Sequence, residues 1–328
     1  MSEDPSGWSL TESDPQIFTQ LLLGLGVKGL QVDDLYSLDQ ETLAALSPIH
    51  ALIFLFKYVG EGEGAERGGV EVDGGESGVW FANQVINNSC GTLAALNAVM
   101  NIPPVKSLYP GESIELGAEL ENLRDFGAGM TPLDLGHVLS SSDLIRETHN
   151  SFSKSSPFSL DPSASSSREK EDAYHFVAYI PVTGVLYELD GLRTGAVMHA
   201  AVDEGESEGW LAIARDTIEQ RIATYPPGSV MFNLLAVRSE AIPRLTRLLK
   251  DPSISEGDRL QLQEQLEHEL VKKERGRVEN ALRRNNLLPA VFALLKGLGQ
   301  SGTMGKILEE ARVKGRERKE RANKRGEE

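Results

Sequence analysis

Residues 174–192, YHFVAYIPVTGVLYELDGL, contain two apolar, aromatic-rich runs joined by a tight break. Thr183 and Gly184 separate the runs, and a two-residue break between strand-like segments predicts a β-hairpin. The rest of the chain mixes strand-like and helix-like segments without regular alternation. This arrangement favours an α+β fold over a doubly wound parallel sheet.

Segments outside the hairpin fit the same fold class. Ser13-Asp14-Pro15 ahead of QIFTQLLLGLG predicts a capped helix, and Ser37 with Gln40 resembles a capping box for a second helix. The run PIHALIFLFKYV predicts a buried strand because it is short, continuous and aromatic-rich. Further predicted segments are a strand or irregular approach at VWFANQVI, helices at GTLAALNAVM, TPLDLGHVLSS and SEGWLAIARDTIEQRIATY, and a strand at SVMFNLLAVRS.

Two irregular stretches and one boundary organise the chain. Residues 60–78 are rich in Gly and Glu, so we predict a mobile surface loop and assign it no role. Residues 151–172 are dominated by serine, and a structureless segment of this length inside a domain is usually functional or disordered. From residue 240 onward only helical periodicity remains. We therefore divide the chain into a mixed domain, 1–239, and an all-α extension with a basic tail, 240–328.

The net charge of −16 is unevenly distributed over the 328 residues. Residues 271–328 carry 16 Lys and Arg against 8 Asp and Glu, whereas the first 270 carry 17 against 41. The acidic first 270 residues form a poor surface for binding phosphates. The charge therefore argues against nucleic-acid binding and favours basic partners. The basic tail could contact nucleic acid, but its alternating charges are more typical of a solvated helix or a frayed end.

Several functional classes are disfavoured by what the sequence contains. The GLGVKG motif at residues 24–29 matches the spacing of a dinucleotide fingerprint, but that motif needs a strand before its glycines and here a helix is predicted. A single cysteine cannot form an internal disulfide or a Cys-based zinc site, and we expect no metal and no cofactor. The N-terminus MSEDPSGWSL lacks the apolar segment of a secretory signal, and the longest apolar run is far too short for a bilayer. We therefore expect a reducing cytoplasmic or nuclear location and no membrane association.

Cys90 is a candidate nucleophile because of its place in the sequence. It follows Asn88-Ser89, which are good helix N-cap residues, and precedes the helical run GTLAALNAVM. The unpaired N–H groups and the positive dipole end of a helix stabilise a thiolate, which is the reactive form of cysteine. The alternative is that Cys90 is a small buried apolar residue, and its position alone leaves both interpretations open.

His175 and Asp190 lie on the two strands of the predicted hairpin. If the turn centres on Thr183-Gly184, residue 175 lies opposite 192, and Asp190 is a diagonal neighbour of His175 on the same sheet face. A carboxylate that orients an imidazole leaves the second ring nitrogen to accept a thiol proton. The pair therefore favours a catalytic role for His175 over a purely structural one.

Gln84, six residues before Cys90, is a candidate transition-state stabiliser. Its neutral side-chain amide can donate a hydrogen bond to an oxyanion together with the backbone N–H of Cys90. An isolated glutamine would carry no such indication, so the hypothesis depends on the nearby cysteine.

Taken together, QVINNSCGTLAALNAV, AYHFVAYIPV and GVLYELDGL resemble the ubiquitin C-terminal hydrolase family of cysteine peptidases, and the resemblance spans residues 8–239. It implies a papain-like catalytic domain with a knotted chain. It also implies Cys90 as nucleophile, His175 as general base and then acid, Asp190 as the residue that orients it, and Gln84 as oxyanion donor. The serine-rich residues 151–172 would be the loop that crosses over the active site, beneath which the tail of ubiquitin passes.

The region VENALRRNNLLPAVFALLKGL is similar to the helical extension of the long, proteasome-associated branch of this family. The resemblance implies docking on the proteasomal ubiquitin receptor and on an inhibitory subunit of a chromatin remodeller. A predicted apolar docking face contains Leu287, Leu288, Val291, Phe292, Leu294 and Leu295. The alternative is that this face packs on the catalytic domain. The glycines of GLGQSGTMGK are expected to interrupt the helix.

We therefore predict a deubiquitinating thiol hydrolase that cleaves amide or isopeptide bonds at the C-terminal glycine of ubiquitin and acts at the proteasome. Two alternatives remain open from the residues. An acyltransferase could use the same Cys–His–Asp set with an amine acceptor, and a binding module could carry a silent site.

Overall fold

The fold is described by a computed structural model of the chain. The residues that it describes are 7–57, 68–72, 78–152, 174–202, 209–225, 232–285 and 288–300, with positions 305, 309, 312 and 314. The helices are α1 Pro15–Gly24, α2 Gln40–Leu46, α3 Cys90–Val99, α4 Ala118–Phe126, α5 Pro132–Ser141, α6 Asp143–Asn150, α7 Trp210–Ala223, α8 Ala241–Leu248, α9 Glu256–Arg284 and α10 Leu288–Gln300. The strands are β1 Leu30–Asp34, β2 Ile49–Lys57, β3 Val70–Val72, β4 Tyr174–Val182, β5 Val185–Leu189, β6 Ala196–Ala201 and β7 Phe232–Ser239.

The strands form one seven-stranded sheet in the order β1-β7-β2-β4-β5-β6-β3, in which every described pair is antiparallel. Helices and strands are thus mixed without βαβ units, and the predicted α+β class is confirmed. The last strand ends at Ser239, and the described segments after it are helical. None of the described helices combines the length and the apolar character needed to cross a bilayer.

Apolar clusters cover both faces of the sheet. On one face, the buried helix α3 and Phe18 of α1 pack against Phe176 of β4. On the other, Ile218 of α7 packs in a cluster with Phe54 of β2 and Tyr179 of β4. Residues 91–99 of α3 are all buried, so the helix has no solvent-facing side, which explains why most of its residues are small or apolar. The buried amide of Asn97 bonds the backbone of Ala82. The core therefore surrounds the helix that begins with Cys90.

Most predicted local elements are present, with differences at specific residues. The N-cap of α2 is Asp39, whose carboxylate accepts from Thr42 N at 2.8 Å, so the predicted capping role of Ser37 is wrong. Of the two alternatives for VWFANQVI, the structure has the irregular approach and not the strand. Part of the stretch predicted as a mobile loop forms β3, which pairs with β6 at the sheet edge. Gly297 and Gly299 do not interrupt α10, which continues to Gln300.

The glycines of GLGVKG end α1 and turn the chain into β1. Gly29 has a φ of +77°, and a Cβ atom there would come within 2.0 Å of the carbonyl oxygen of Ser113. A helix precedes these glycines and a strand follows them, the reverse of the order that dinucleotide binding requires. The motif is therefore a structural turn.

A buried ionic network joins the long helix α9 to the sheet. Arg238 of β7 pairs with Asp33 of β1 and, at 2.5 Å, with Glu269 of α9. Lys272 of α9 reaches the second oxygen of Asp33 at 2.8 Å. Burial raises the pKa of Asp33, but the charges of Arg238 and Lys272 lower it by more. The pKa of Asp33 is therefore below its ordinary value. The network keeps Asp33 ionised and anchors the extension to the mixed domain.

We expect Arg238→Gln to lower the free energy of unfolding by about 3–5 kcal/mol, because it removes one member of a buried ionic network and leaves carboxylates without their partner. Urea denaturation followed by circular dichroism measures the change. Arg277→Gln is the matched control, since its pair with Glu274 is largely exposed and should contribute less than about 1 kcal/mol. Equal effects of the two substitutions would contradict the assignment.

Candidate active site

Cys90 is the first residue of α3 and is half-buried. The preceding turn is unusual: Asn88 has a φ of +66° and donates from Nδ2 to the carbonyl of Trp8 at 3.1 Å. Ser89 makes no side-chain capping bond to α3, and its hydroxyl donates to the carbonyl of Ile86 instead. The first-turn N–H groups are therefore not capped by Ser89, which suits a thiolate or a bound oxyanion at this helix end.

The hairpin that carries His175 and Asp190 has the predicted register. Strands β4 and β5 pair from Val182↔Val185 to Ala178↔Leu189, so the same register places residue 175 opposite 192. His175 Nε2 lies 2.6 Å from Asp190 Oδ1, and both side chains are about 95% buried. This contact leaves Nδ1 of His175 for the thiol. The structure thus brings together Cys90, His175 and Asp190, and their catalytic roles remain predictions.

Electrostatics favour a protonated His175. Burial alone would lower its pKa, but the hydrogen bonds and charges of Asp190 and Cys90 raise it to about 9. For Asp190, burial raises the pKa, while the hydrogen bond and charge of His175 bring it below the ordinary value. A protonated imidazole beside a cysteine can donate its proton to a leaving group, which is the role that a general acid needs in thiol hydrolysis.

Gln84 lies on the irregular segment before Cys90. Its Nε2 donates to the carbonyl of Ile86 at 3.1 Å, which leaves a second N–H on the same nitrogen. Its Oε1 is buried and has no hydrogen-bond partner in the part of the chain that the structure describes. The geometry is compatible with an oxyanion donor, and that role stays a prediction.

Two hydrogen bonds that join the Asn83-Gln84 segment to the turn after Asp190 were not predicted from the sequence. Gln84 N donates to Gly191 O at 2.8 Å, and Asn83 Nδ2 donates to the carbonyl of Arg193. A Cβ atom at Gly191 would lie 3.2 Å from Gln84 N and 2.5 Å from Leu93 Cδ2. The Asp-Gly pair was visible in the sequence, but the segment that approaches the glycine lies more than a hundred residues away.

A second unpredicted group lies behind His175. Phe56 of β2 is the cross-strand partner of His175, and their rings meet at 87° with centroids 5.7 Å apart. The guanidinium of Arg221 lies 4.0 Å over the Phe56 ring and pairs with the buried carboxylate of Glu188 at 2.6 Å. Phe56 therefore contacts both the imidazole and a buried cation, which restricts movement of the His175 ring.

The predicted crossover loop, residues 151–172, falls outside the described residues except for Ser151 and Phe152 at its start. Among the residues that the structure does describe, no cluster of three or more His, Cys, Asp or Glu side chains could hold a metal ion.

Comparison with known proteins agrees with this geometry. A profile described as "Ubiquitin carboxyl-terminal hydrolase, family 1" matches residues 8–223. The chain is 36% identical to the ubiquitin carboxyl-terminal hydrolase ubh-4 of Caenorhabditis elegans, with 94% of this chain and 92% of that protein covered. It is 33% identical to isozyme L5 of Dictyostelium discoideum, with 95% and 97% covered.

Among solved structures, the chain is similar to Trichinella spiralis UCH37 bound to ubiquitin vinyl methyl ester. The TM-score is 0.63 at 32% identity, and the match covers 82% of this chain and 99% of that one. The catalytic domain of the same protein, bound to the same ligand, matches with a TM-score of 0.58 at 34% identity, covering 73% and 98%. The likeness therefore includes residues beyond the mixed domain.

We expect the pH profile of kcat/KM to fall on the alkaline side near pH 9, where His175 loses its proton and the thiolate–imidazolium pair is lost. Asp190→Asn removes a charge that raises the pKa of His175, so the alkaline limb should move to lower pH. Rates with a fluorogenic substrate from pH 6 to 10 measure both profiles. Superimposable alkaline limbs would contradict the inference that Asp190 raises the pKa of His175.

Proposed function

The chain belongs to ubiquitin carboxyl-terminal hydrolase family 1 and is a deubiquitinating thiol hydrolase, and we propose that Cys90, His175, Asp190 and Gln84 carry its reaction. The observation that carries the proposal is the buried 2.6 Å contact between His175 and Asp190, with Cys90 on the imidazole's remaining side. The substrate class is supported by the family and by the relative that was solved with a ubiquitin derivative.

In the proposed reaction, the Cys90 thiolate attacks the carbonyl carbon of ubiquitin's C-terminal glycine. The backbone N–H of Cys90 and the free N–H of Gln84 Nε2 stabilise the oxyanion. His175 donates its proton to the leaving amine, and an acyl-enzyme forms. The neutral imidazole then removes a proton from water, which attacks the thioester and releases ubiquitin with a free carboxylate. Asp190 holds the imidazole in one orientation throughout.

Replacement of Cys90 by Ala tests the nucleophile. We expect turnover of a ubiquitin C-terminal amide reporter to fall by at least about 10³-fold, while binding of ubiquitin, measured by calorimetry, persists. Ubiquitin vinyl methyl ester should label the wild-type chain once, at Cys90. His175→Ala should cost more activity than Asp190→Asn, because an orienting residue can be partly bypassed. Turnover by the Cys90→Ala variant would refute the assignment.

The same assay separates the two alternatives. An acyltransferase would transfer ubiquitin to an added amine in preference to water, so mass analysis of the product with and without the amine distinguishes transfer from hydrolysis. A silent binding module would bind ubiquitin but would neither turn over the reporter nor react with the electrophilic probe.

We further propose that α10 docks on the proteasomal ubiquitin receptor and, through the same face, on a chromatin-remodeller subunit. Four predicted docking residues are exposed: Val291, Phe292, Leu294 and Leu295, with Phe292 at 65%. Their exposure argues against the alternative that this face packs on the catalytic domain. Leu287 and the side chain of Leu288 lie outside the described residues.

We also propose a cytoplasmic and nuclear location, which is supported by the single free cysteine. Imaging of a tagged chain checks this location.

Phe292→Glu should weaken binding of the proteasomal receptor by about 10-fold or more, because it places a charge in an apolar contact. Pull-down and reporter activation measure the loss. Ala293→Glu is the matched control, since at 100° per residue it lies on the opposite side of α10 from Val291, Phe292 and Leu295. Truncation after residue 240 is a poorer test, because it also removes Glu269 and Lys272 from the ionic network. Unchanged receptor binding by the Phe292 variant would contradict the docking proposal.

A further inference from the structure

Strand β3 is the described part of the Gly- and Glu-rich stretch to which the sequence assigned no role. It pairs antiparallel with β6 through Val70↔Met198, Glu71↔Val197 and Val72↔Ala196. The pairing places β3 at the edge of the sheet next to the chain that leaves the active site after Asp190. The stretch is therefore attached, at residues 70–72, to the catalytic half of the sheet.

The carboxylate of Glu71 holds the start of β6 and the turn before it. One oxygen, Oε1, accepts from the hydroxyl of Thr194 and from Gly195 N, the latter at 2.8 Å. The other oxygen, Oε2, lies 3.8 Å from Arg193 Nη1. Gly195 allows this approach, because a Cβ atom there would come within 2.3 Å of Val72 O. Glu71 thus contacts three consecutive residues of one turn.

The other side of the same turn, residues 191–195, contacts the active site. The carbonyl of Arg193 accepts from Asn83 Nδ2, and the carbonyl of Gly191 accepts from Gln84 N. Leu192 N donates to Asp190 Oδ1 at 3.0 Å, the oxygen that also accepts from His175. Gln84 and Asp190 are therefore held by a turn whose other side is bound by the carboxylate of Glu71.

We propose that Glu71 is a positioning residue for the hydrolase reaction: it fixes the 191–195 turn and thereby sets the positions of Asp190 and Gln84 relative to His175 and Cys90. The inference rests on the proposed function. Without the carboxylate, Thr194 and Gly195 N lose their common acceptor. The turn then relaxes toward solvent, and the contacts to the oxyanion donor and to the imidazole loosen together.

The test compares Glu71→Ala and Glu71→Gln in the full chain with the ubiquitin C-terminal amide reporter. Glu71→Ala should lower kcat by about 10-fold with KM changed by less than about 2-fold, because the turn acts on the reacting groups. Glu71→Gln should restore most of kcat, since its side-chain oxygen still accepts from Thr194 and Gly195. Glu112→Ala is the control, since this carboxylate pairs with Arg247 Nε at 2.6 Å and makes no described contact with the turn.

The protonation of His175 gives a readout that stability alone would not change. Among the described residues, the charged groups that act on its imidazole are Asp190, directly after β5, and Cys90 from α3. Arg221 lies over the Phe56 ring that contacts the imidazole. A looser Asp190 holds the imidazolium less well, so Glu71→Ala should lower the pKa of His175 and move the alkaline limb of kcat/KM to lower pH. NMR titration of the His175 ring measures the pKa independently of turnover.

Two results would overturn the proposal. If Glu71→Ala lowers the melting temperature but keeps the wild-type kcat and His175 titration, Glu71 only fixes an edge strand. If Glu71→Gln lowers kcat as much as Glu71→Ala does, the hydrogen bonds from Thr194 and Gly195 to the side-chain oxygen do not explain the loss of activity. A wild-type chain that neither hydrolyses the reporter nor reacts with the electrophilic probe would instead refute the proposed function itself, and the positioning role with it.

Discussion

The register of the β4–β5 hairpin is the constraint on which the candidate site depends. A two-residue turn, with Thr183 and Gly184 both at positive φ, fixes which residues face each other and places His175 and Asp190 on one face. One additional residue in this turn would move Asp190 to the opposite face, because side chains alternate along a strand. The contact between His175 and Asp190 thus depends on the backbone conformation of the turn at the other end of the two strands.

The sequence predicted those parts of the fold whose signals are local. The Thr-Gly turn, the Asp14-Pro15 helix start and the apolar run of β2 each depend on a few neighbouring residues, and each is present. Strand β1 was not predicted because it contains Asp33, and aspartate is unfavourable in strands. Its burial in β1 is compensated by ion pairs with Arg238 and Lys272, which come from distant parts of the chain. Strand β3 was missed for a similar reason, since the role of its glutamate depends on residues more than a hundred positions away.

Within the site, the same distinction separates what could be predicted. Cys90, His175 and Asp190 were identified from a helix start and a hairpin, both of which are short-range patterns. The contacts of Asn83 with Arg193 and of Arg221 with Glu188 join distant segments, and no spacing in the chain indicates them. Arg221 illustrates the reason that such contacts could not be predicted. A buried arginine on a helix is unfavourable unless a carboxylate, here from the sheet, compensates its charge.

The attachment of α9 has a consequence for any molecule carried by α10. Near its C-terminal end, Arg283 pairs with Asp14 at 2.5 Å, and Asn280 Nδ2 donates to Gln16 O at 2.9 Å, so the last turns of this 29-residue helix are fixed to α1. Helix α10 begins at Leu288, only a few positions after Arg284. Only residues 285–287 separate the two helices. A partner bound to α10, as proposed above, would therefore be tethered to the catalytic domain through α9 and a three-residue connection, which gives it a higher effective concentration there than a long flexible linker would.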